Sequence, residues 1–429
     1  MLQRMSARVL WWLTLCFAVT PLHAELRVQI TQGVDAAIPI TIVPFAGQQS
    51  SGIAIGSVVS SDLQRSGRFQ PLAEAGYSER PTAPQEVDAG AWRSRGQEFV
   101  VVGRIEPAGA GQFQADFHVV DVVRSAVVVS YRLPFAGADA RAGAHQIADV
   151  VYKYILGQSG SFATRVAYVN VVGDAPANRQ YRLQIADTDG FNPQTILSSV
   201  EPLMSPAWSP DGKQLAYVSF ENKRPAIWIQ NLTNGQRHKI SETPGINGAP
   251  AWSPDGRSLA LTLSKDGDPE IYVYSMASGL MQRLTDSHGI DTEPSWSPDG
   301  QQIVFTSDRG GKPQLYLISP SGGAARRLTY EGNYNARGVF SPDGRSMAMV
   351  HGSGNGFRIA LMDLATHAVR VLTRGPQDES PGFAPNGSMI LYASRSGGRS
   401  QLSAISADGK FQQDLRVDSG TVREPAWSP

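Results

Sequence analysis

The chain has 429 residues, enough for more than one separately packed unit, and 41% apolar against 18% charged side chains exclude a disordered protein. Lys and Arg number 38 and Asp and Glu 38, so there is no basic footprint for nucleic acid. The 43 Gly and 28 Pro suit a turn-rich, mostly β protein, and one cysteine excludes an internal disulfide.

The first predicted element is a secretory leader over 1–24. Arg4 and Arg8 form its positive end, Val9 to Val19 its apolar stretch, and Leu22-His23-Ala24 a cleavage site before Glu25. The apolar stretch is shorter than the roughly 20 residues a membrane-spanning helix needs, so no span is expected in the mature chain. Cys16 follows Leu15, where a lipoprotein leader would carry a small residue, and it departs with the leader. Export leaves 36 basic against 38 acidic side chains.

Residues 25–161 read as a small α/β domain. ELRVQIT from Glu25 and ITIVPF from Ile40 are strand-like, and Ile53 to Leu63 carries apolar residues at helical spacing. A Pro-, Ala- and Gly-rich loop from Arg80 to Gly90 precedes a three-strand meander, EFVVVGRI, FQADFHVVDV and AVVVSYRL. His145, Ile147, Ala148, Val151, Tyr152 and Ile155 then mark a helix over 139–156 that packs on the meander.

From 162 to 429 the sequence repeats. PAWSPDG from Pro206 recurs as PAWSPDG, PSWSPDG, GVFSPDG, PGFAPNG and a terminal PAWSP, with aromatic anchors at Trp208, Trp252, Trp296, Phe340, Phe383 and Trp427. A period of 43 or 44 residues with strand-like segments signals propeller blades. Each anchor lies on an innermost strand, and three further strands follow, as in QLAYVS, AIWIQNL and HKIS. The last anchor has no blade behind it, so its partners come from RVAYVN at Arg165, YRLQIADTDG at Tyr181 and TILSS at Thr195. The expected fold is therefore mainly β: a six-bladed propeller of four-stranded blades with a composite closing blade, preceded by the α/β domain. The repeated Asp of SPDG is expected to bond its own turn rather than a ligand.

No G-x-S-x-G elbow, H-E-x-x-H helix or phosphate-binding loop occurs, and His118, His145, His238, His288, His351 and His367 lack ligand spacing. A hydrolase or carbohydrate-active propeller is the competing class, but no segment outside the repeats supplies a hydrolase domain. No enzymatic activity and no cofactor are expected. Strand parity puts the loops entering each innermost strand on the face opposite the SPDG turns, and these entry loops vary while the turns repeat, which favours recognition there. They carry Glu201, Ser205, Asn247, Asp291, Thr292 and Glu293, then Arg337, Asp378, Glu379, Arg423 and Glu424. Asp291, Glu293, Asp378 and Glu379 would offer oxygen ligands to a cation if folding brought them together in the channel.

Over nearly its whole mature length the chain resembles the TolB family of the Tol-Pal system. The resemblance rests on QITQGVDAAIPITIVPF from Gln29, EPLMSPAWSPDGKQLAYVSF from Glu201, the repeat spacing and the terminal EPAWSP. It implies a monomeric periplasmic adaptor that supports outer-membrane integrity and envelope invagination during cell division, and that colicins exploit for entry. It further implies that the lipoprotein Pal binds the entry loops at Met204, Ser205, Asn247, Ala249, Thr292 and Glu293. The inner-membrane protein TolA would bind the mature N-terminus at Glu25, Leu26, Arg27, Val28, Gln29, Ile30, Thr31 and Gln32. Ile246 departs from the histidine of some family members. An extended run such as ELRVQIT is suited to adding to another protein's sheet edge, or to folding back on its own domain.

Overall fold

The computed structural model describes residues 28–30 and 37–429, apart from 174, 176–177, 353, 355, 397–398, 416 and 418–419. The leader expected over 1–24 lies outside the described residues, as do Glu25, Leu26, Arg27, Thr31 and Gln32 of the expected TolA-binding segment.

After β1 (Val28–Ile30), the N-terminal unit runs β2 (Ile38–Ile42), α1 (Ile55–Arg65), β3 (Phe69–Pro71), α2 (Ala89–Ser94), β4 (Phe99–Gly109), β5 (Gln112–Asp121), β6 (Ala126–Ala136) and α3 (Ala140–Leu156). Its sheet has the order β3-β2-β4-β5-β6, with β2 parallel to both neighbours and β4 to β6 an antiparallel meander. Ile55, Val59 and Leu63 recur every four residues along α1, while Ala144, Ile147, Ala148 and Val151 do the same work on α3. Both stripes bury against Ile40, Ile42, Phe117 and Val119 in one core. Gly157 ends α3 at φ 71°, its N–H donating to the Lys153 carbonyl. β3 and α2 escape a reading by periodicity because they are too short for a full period. α2 is set by Asp88, whose carboxylate accepts from the N–H groups of Gly90 and Ala91, and it buries Trp92 under the opposite face of the sheet.

The repeats fold as the spacing predicts. Leu203–Trp208, Gln214–Ser219, Ala226–Asn231 and Arg237–Ser241 pair in that order as one antiparallel blade, and the later repeats follow suit. The closing blade is composite: the C-terminal strand Thr421–Trp427 pairs with β7 (Arg165–Val172), then β8 (Gln180–Asp187) and β9 (Gln194–Ser199). Among the described residues this makes six four-stranded blades.

The anchors stitch one blade to the previous one. The indole N–H of Trp208 donates to the carbonyl of Ala426 at 3.0 Å, Trp252 to Ala207 at 3.2 Å and Trp296 to Ala251 at 3.1 Å. Burying the indole between blades would otherwise leave its N–H unpaired, so the bond fixes blade spacing. The SPDG aspartates act as expected within their turns. Asp255 accepts from the Ser253 hydroxyl at 2.6 Å and the Arg257 N–H at 3.0 Å, and Asp211, Asp299 and Asp343 repeat the pattern. The bond from the serine, then that from the backbone, holds each of these carboxyls below the usual range.

The α/β unit sits on the SPDG side, against the composite and last blades. Asn386, in the turn equivalent to SPDG, donates to the Ser159 carbonyl at 2.9 Å, and the Trp427 indole donates to Thr164 at 2.7 Å. Gly67, at φ 67°, lies so close to the Phe411 ring that a Cβ there would stand 2.5 Å from it. The N-terminal segment does not fold back on its own sheet. β1 pairs antiparallel with the outer strand of the last blade, Phe411–Leu415, with Ile30 opposite Phe411 and Val28 opposite Gln413. The reason is reach: Ile38 bonds Arg68, and Gly67 beside it packs on Phe411, which puts this free blade edge close to the start of β2.

Closure makes a sharp prediction. Deleting 423–429 would strip the inner neighbour from β7 and remove the acceptor of the Trp208 indole. Loss of the cooperative propeller transition in differential scanning calorimetry is the expected outcome; an unchanged transition would show that the ring does not depend on this strand.

Candidate functional site

The entry loops converge on the mouth of the central channel, away from the α/β unit. Where each innermost strand enters its blade, the ladder slips by one residue: between Met204 and Ala207, Gly248 and Ala251, Thr292 and Ser295, and at the matching places in the other three blades. Each slip is a bulge, and at each one a non-glycine residue has positive φ: Ser205 (51°), Ala249 (45°), Glu293 (55°), Arg337 (51°), Ser380 (58°) and Glu424 (49°). These six residues ring a cavity of about 310 Å³. L-residues rarely adopt such φ values, so strain is concentrated around this opening, which is where functional sites hold it.

The ring is divided in character. Ser205 and Ala249, with Ala207 and Ala251 below them, make a small-residue wall. Opposite, Arg337 reaches Glu293 at 3.1 Å and Glu424 at 3.4 Å and also bonds Ser380. Glu424 accepts from the Ser205 N–H at 2.7 Å, which carries the network across the junction where the ring closes. Thr306 donates to Glu293 at 3.0 Å and accepts from the Arg337 N–H at 3.0 Å. Burial works against the Arg337 charge, but Glu293, Glu424 and Glu379 outweigh it and hold its pKa above the ordinary value.

Of the residues singled out from the sequence, Ser205, Ala249 and Glu293 are in the ring itself, while Met204 (39% exposed) and Thr292 lie one position outside it. Asn247 is different: it is 1% exposed, its Oδ1 accepting from Ser241 and Thr243 and its Nδ2 donating to carbonyls of its own loop. It shapes the loop that presents Ile246 and Ala249 rather than facing outward. The four acidic residues considered as cation ligands do not converge. Asp291 is buried against Ser307 and Arg309, and Asp378 is buried against Ser394. Burial pushes both of their carboxyls up.

The sequence places Ile246 and Arg337 in the entry loops but does not show the parts they play. Val200, Ile246 and Ile290 expose 74%, 46% and 50% of their surface, each just before the innermost strand of one of three successive blades. Arg337 emerges as the hub of the ring; its signal was a charged residue at the position where other repeats carry Ser, Ala or Glu. The histidines stay scattered. Among the described residues, the donors close enough for a metal ion are Asp62, His145 and Asp189, within 4.8 Å of one another. They lie at the junction with the α/β unit, where Arg65 and Arg141 already occupy the carboxylates.

Replacing Arg337 by Leu leaves Glu293 and Glu424 facing each other without their shared cation. A loss of about 2 kcal/mol is expected in urea unfolding, less than the roughly 3–5 kcal/mol of a fully buried broken pair because the Arg337 side chain keeps 26% exposure. Glu424→Gln added to Arg337→Leu should recover part of it.

With this geometry, the comparisons with known proteins agree. A family model described as the TolB beta propeller domain matches residues 152–429, and one described as the TolB amino-terminal domain matches 26–128. The chain is 71% identical over 415 residues to the Tol-Pal system protein TolB of Methylococcus capsulatus, covering 97% of both chains. It is 58% identical to the protein of that name from Thioalkalivibrio sulfidiphilus, again over 97% of both. The crystal structure of TolB from Acinetobacter baumannii superposes with a TM-score of 0.86 at 42% identity, covering 94% of this chain and 100% of that one.

Proposed function

Because the chain belongs to the TolB family across both of its units, we propose that it is a non-enzymatic, monomeric adaptor of the Tol-Pal system in the periplasm, binding Pal at the channel mouth and TolA through its mature N-terminus. The observation that carries this reading is the unbroken similarity, over 97% of the chain, to relatives called Tol-Pal system protein TolB. Among the described residues no helix is long and apolar enough to cross a membrane.

The mouth supports the Pal assignment physically. A strained ring with a polar half and a small-residue half, edged by Met204, Ile246 and Ile290, combines an apolar anchor region with directional bonds, as interface cores do. Ser205, Ala249 and Glu293 line the opening, Thr292 lies one position outside it, and Asn247 contributes by holding its loop. Support of outer-membrane integrity, a part in envelope invagination during division, and capture by colicins belong to the same reading.

The N-terminal assignment draws on β1. A segment that already serves as an added edge strand on Phe411–Leu415 pairs with it through the main chain, and main-chain pairing transfers readily to another sheet edge. Binding TolA would then require β1 to leave its blade.

Two arms test the proposal by calorimetry with purified Pal and TolA. Glu293→Lys or Ala249→Trp should weaken Pal at least tenfold, about 1.4 kcal/mol, while Asp255→Ala and Asp299→Ala lower stability and spare affinity. Deleting 25–32 should abolish TolA binding and leave Pal binding within tenfold. Pal affinity lost equally in both sets of variants, or TolA binding that survives the deletion, would sink the corresponding half.

A further inference from the structure

A cluster of charged side chains, buried except for the part-exposed Arg141 and Asp187, lies where the α/β unit meets the composite blade. α1 supplies Asp62 and Arg65, α3 supplies Arg141 and His145, and Asp187 and Asp189 come from the end of β8 and the turn after it. His145, 2% exposed, stands between the two units: its Nδ1 is 2.6 Å from Asp62 and its Nε2 3.7 Å from Asp187. Arg65 donates to Asp62 at 2.5 Å, and Arg141 meets Asp187 at 3.2 Å while also bonding Asp189. Three carboxylates therefore face two guanidiniums, which keep their charge at any ordinary pH. Only the imidazolium form of His145 brings the six groups to neutrality. A further carboxyl on α3, that of Asp149, lies close enough to feel Asp62 and His145; burial pushes it up, and it accepts from the N–H groups of Phe162 and Ala163 in the connecting segment.

We infer that this cluster is a charge-balanced lock between the α/β unit and the propeller, closed while His145 carries its proton and released by alkali. Removing that proton leaves an excess carboxylate charge inside an interface contributed by both units, and a buried unpaired charge is among the most costly defects a protein can carry. Separating the units is the simplest way to rehydrate it. The neighbouring cavity, lined by Arg65, Tyr152, Phe162 and Trp427 among others, is only about 20 Å³, room for about one water.

The working range follows from the same contacts. Burial opposes the charge on His145, but Asp187 and Asp62 on either side push its pKa up to about 9. A free histidine titrates near 6.5. With the folded value above the free one, the contribution of this group is full below about pH 6.5 and is lost as the pH rises through about 9. The lock also frames the edge that receives β1, since Arg65 lies two residues from Gly67, which rests on Phe411 opposite Ile30.

The experiment uses the chain from residue 25, which contains no cysteine, with spin labels at Ser94→Cys on the α/β unit and Ala277→Cys on the propeller, both exposed positions. Pulsed dipolar distances are read from pH 6 to pH 10.5. In the parent, a narrow distribution at pH 7 should broaden with a midpoint near 9. Asp187→Asn removes one carboxylate, so the cluster is neutral once His145 has lost its proton, and the distribution should stay narrow to pH 10.5. His145→Gln should be broad already at pH 7, and adding Asp187→Asn should narrow it again. A parent that stays narrow to pH 10.5, or Asp187→Asn broadening together with the parent, would overturn the lock. Either result is readable even if His145→Gln fails to fold, and neither depends on Pal or TolA binding.

Discussion

The contact on which the rest of the molecule depends is the one between neighbouring innermost strands. A blade of four short strands has two edges and a modest core, and on its own it would be marginal. Packing each blade against the next buries both faces of every sheet, and the indole-to-carbonyl bonds from Trp208, Trp252 and Trp296 fix the distance at which this happens. The ring holds only if it closes. The chain achieves closure by returning its last seven-residue strand, Thr421–Trp427, to β7, more than 250 residues earlier in sequence.

Closure also explains where the strain lies. Six inner strands that run down a narrow channel must splay at the mouth, and each does so through a bulge with a residue at positive φ. Glycine would adopt these angles at little cost. This chain instead places Ser, Ala, Glu, Arg, Ser and Glu there, accepting the strain in return for side chains directed at the opening. Arg337 then ties the charged half of the ring together, and Glu424 links it back to Ser205 across the seam. The mouth residues are thus held by bonds to one another around the ring.

The two proposed binding elements are far apart in construction. The mouth lies on the entry-loop face, whereas β1 lies on the outer edge of the last blade, beside the α/β unit on the SPDG side. Any influence of one on the other has to pass through the last and composite blades, which share both the mouth residues Ser380 and Glu424 and the contacts to α1, α3 and the connecting segment. The buried charges around His145 bear on that same junction.

The architecture was legible in the sequence because it is written in local, repeated signals. The period of 44, the SPDG turns and an orphan terminal anchor dictate four-stranded blades and a composite closure, since a strand without neighbours must find them at the other end of the repeat. Helical spacing marked α1 and α3 for the same reason. Short elements such as β3 and α2 carry no period and took their conformation from tertiary pairing and one cap. At the site, the sequence named the loops but not the direction of their side chains. Whether Asn247 and Asp291 point into the channel or beneath their loops depends on register across the bulge, and a shift of one residue reverses the facing. That Arg337 would meet Glu293 and Glu424, and that His145 would stand between Asp62 and Asp187, are contacts between residues 44 to 87 positions apart or on different units. Only the closing of the ring and the docking of the α/β unit brought those charges within reach of one another.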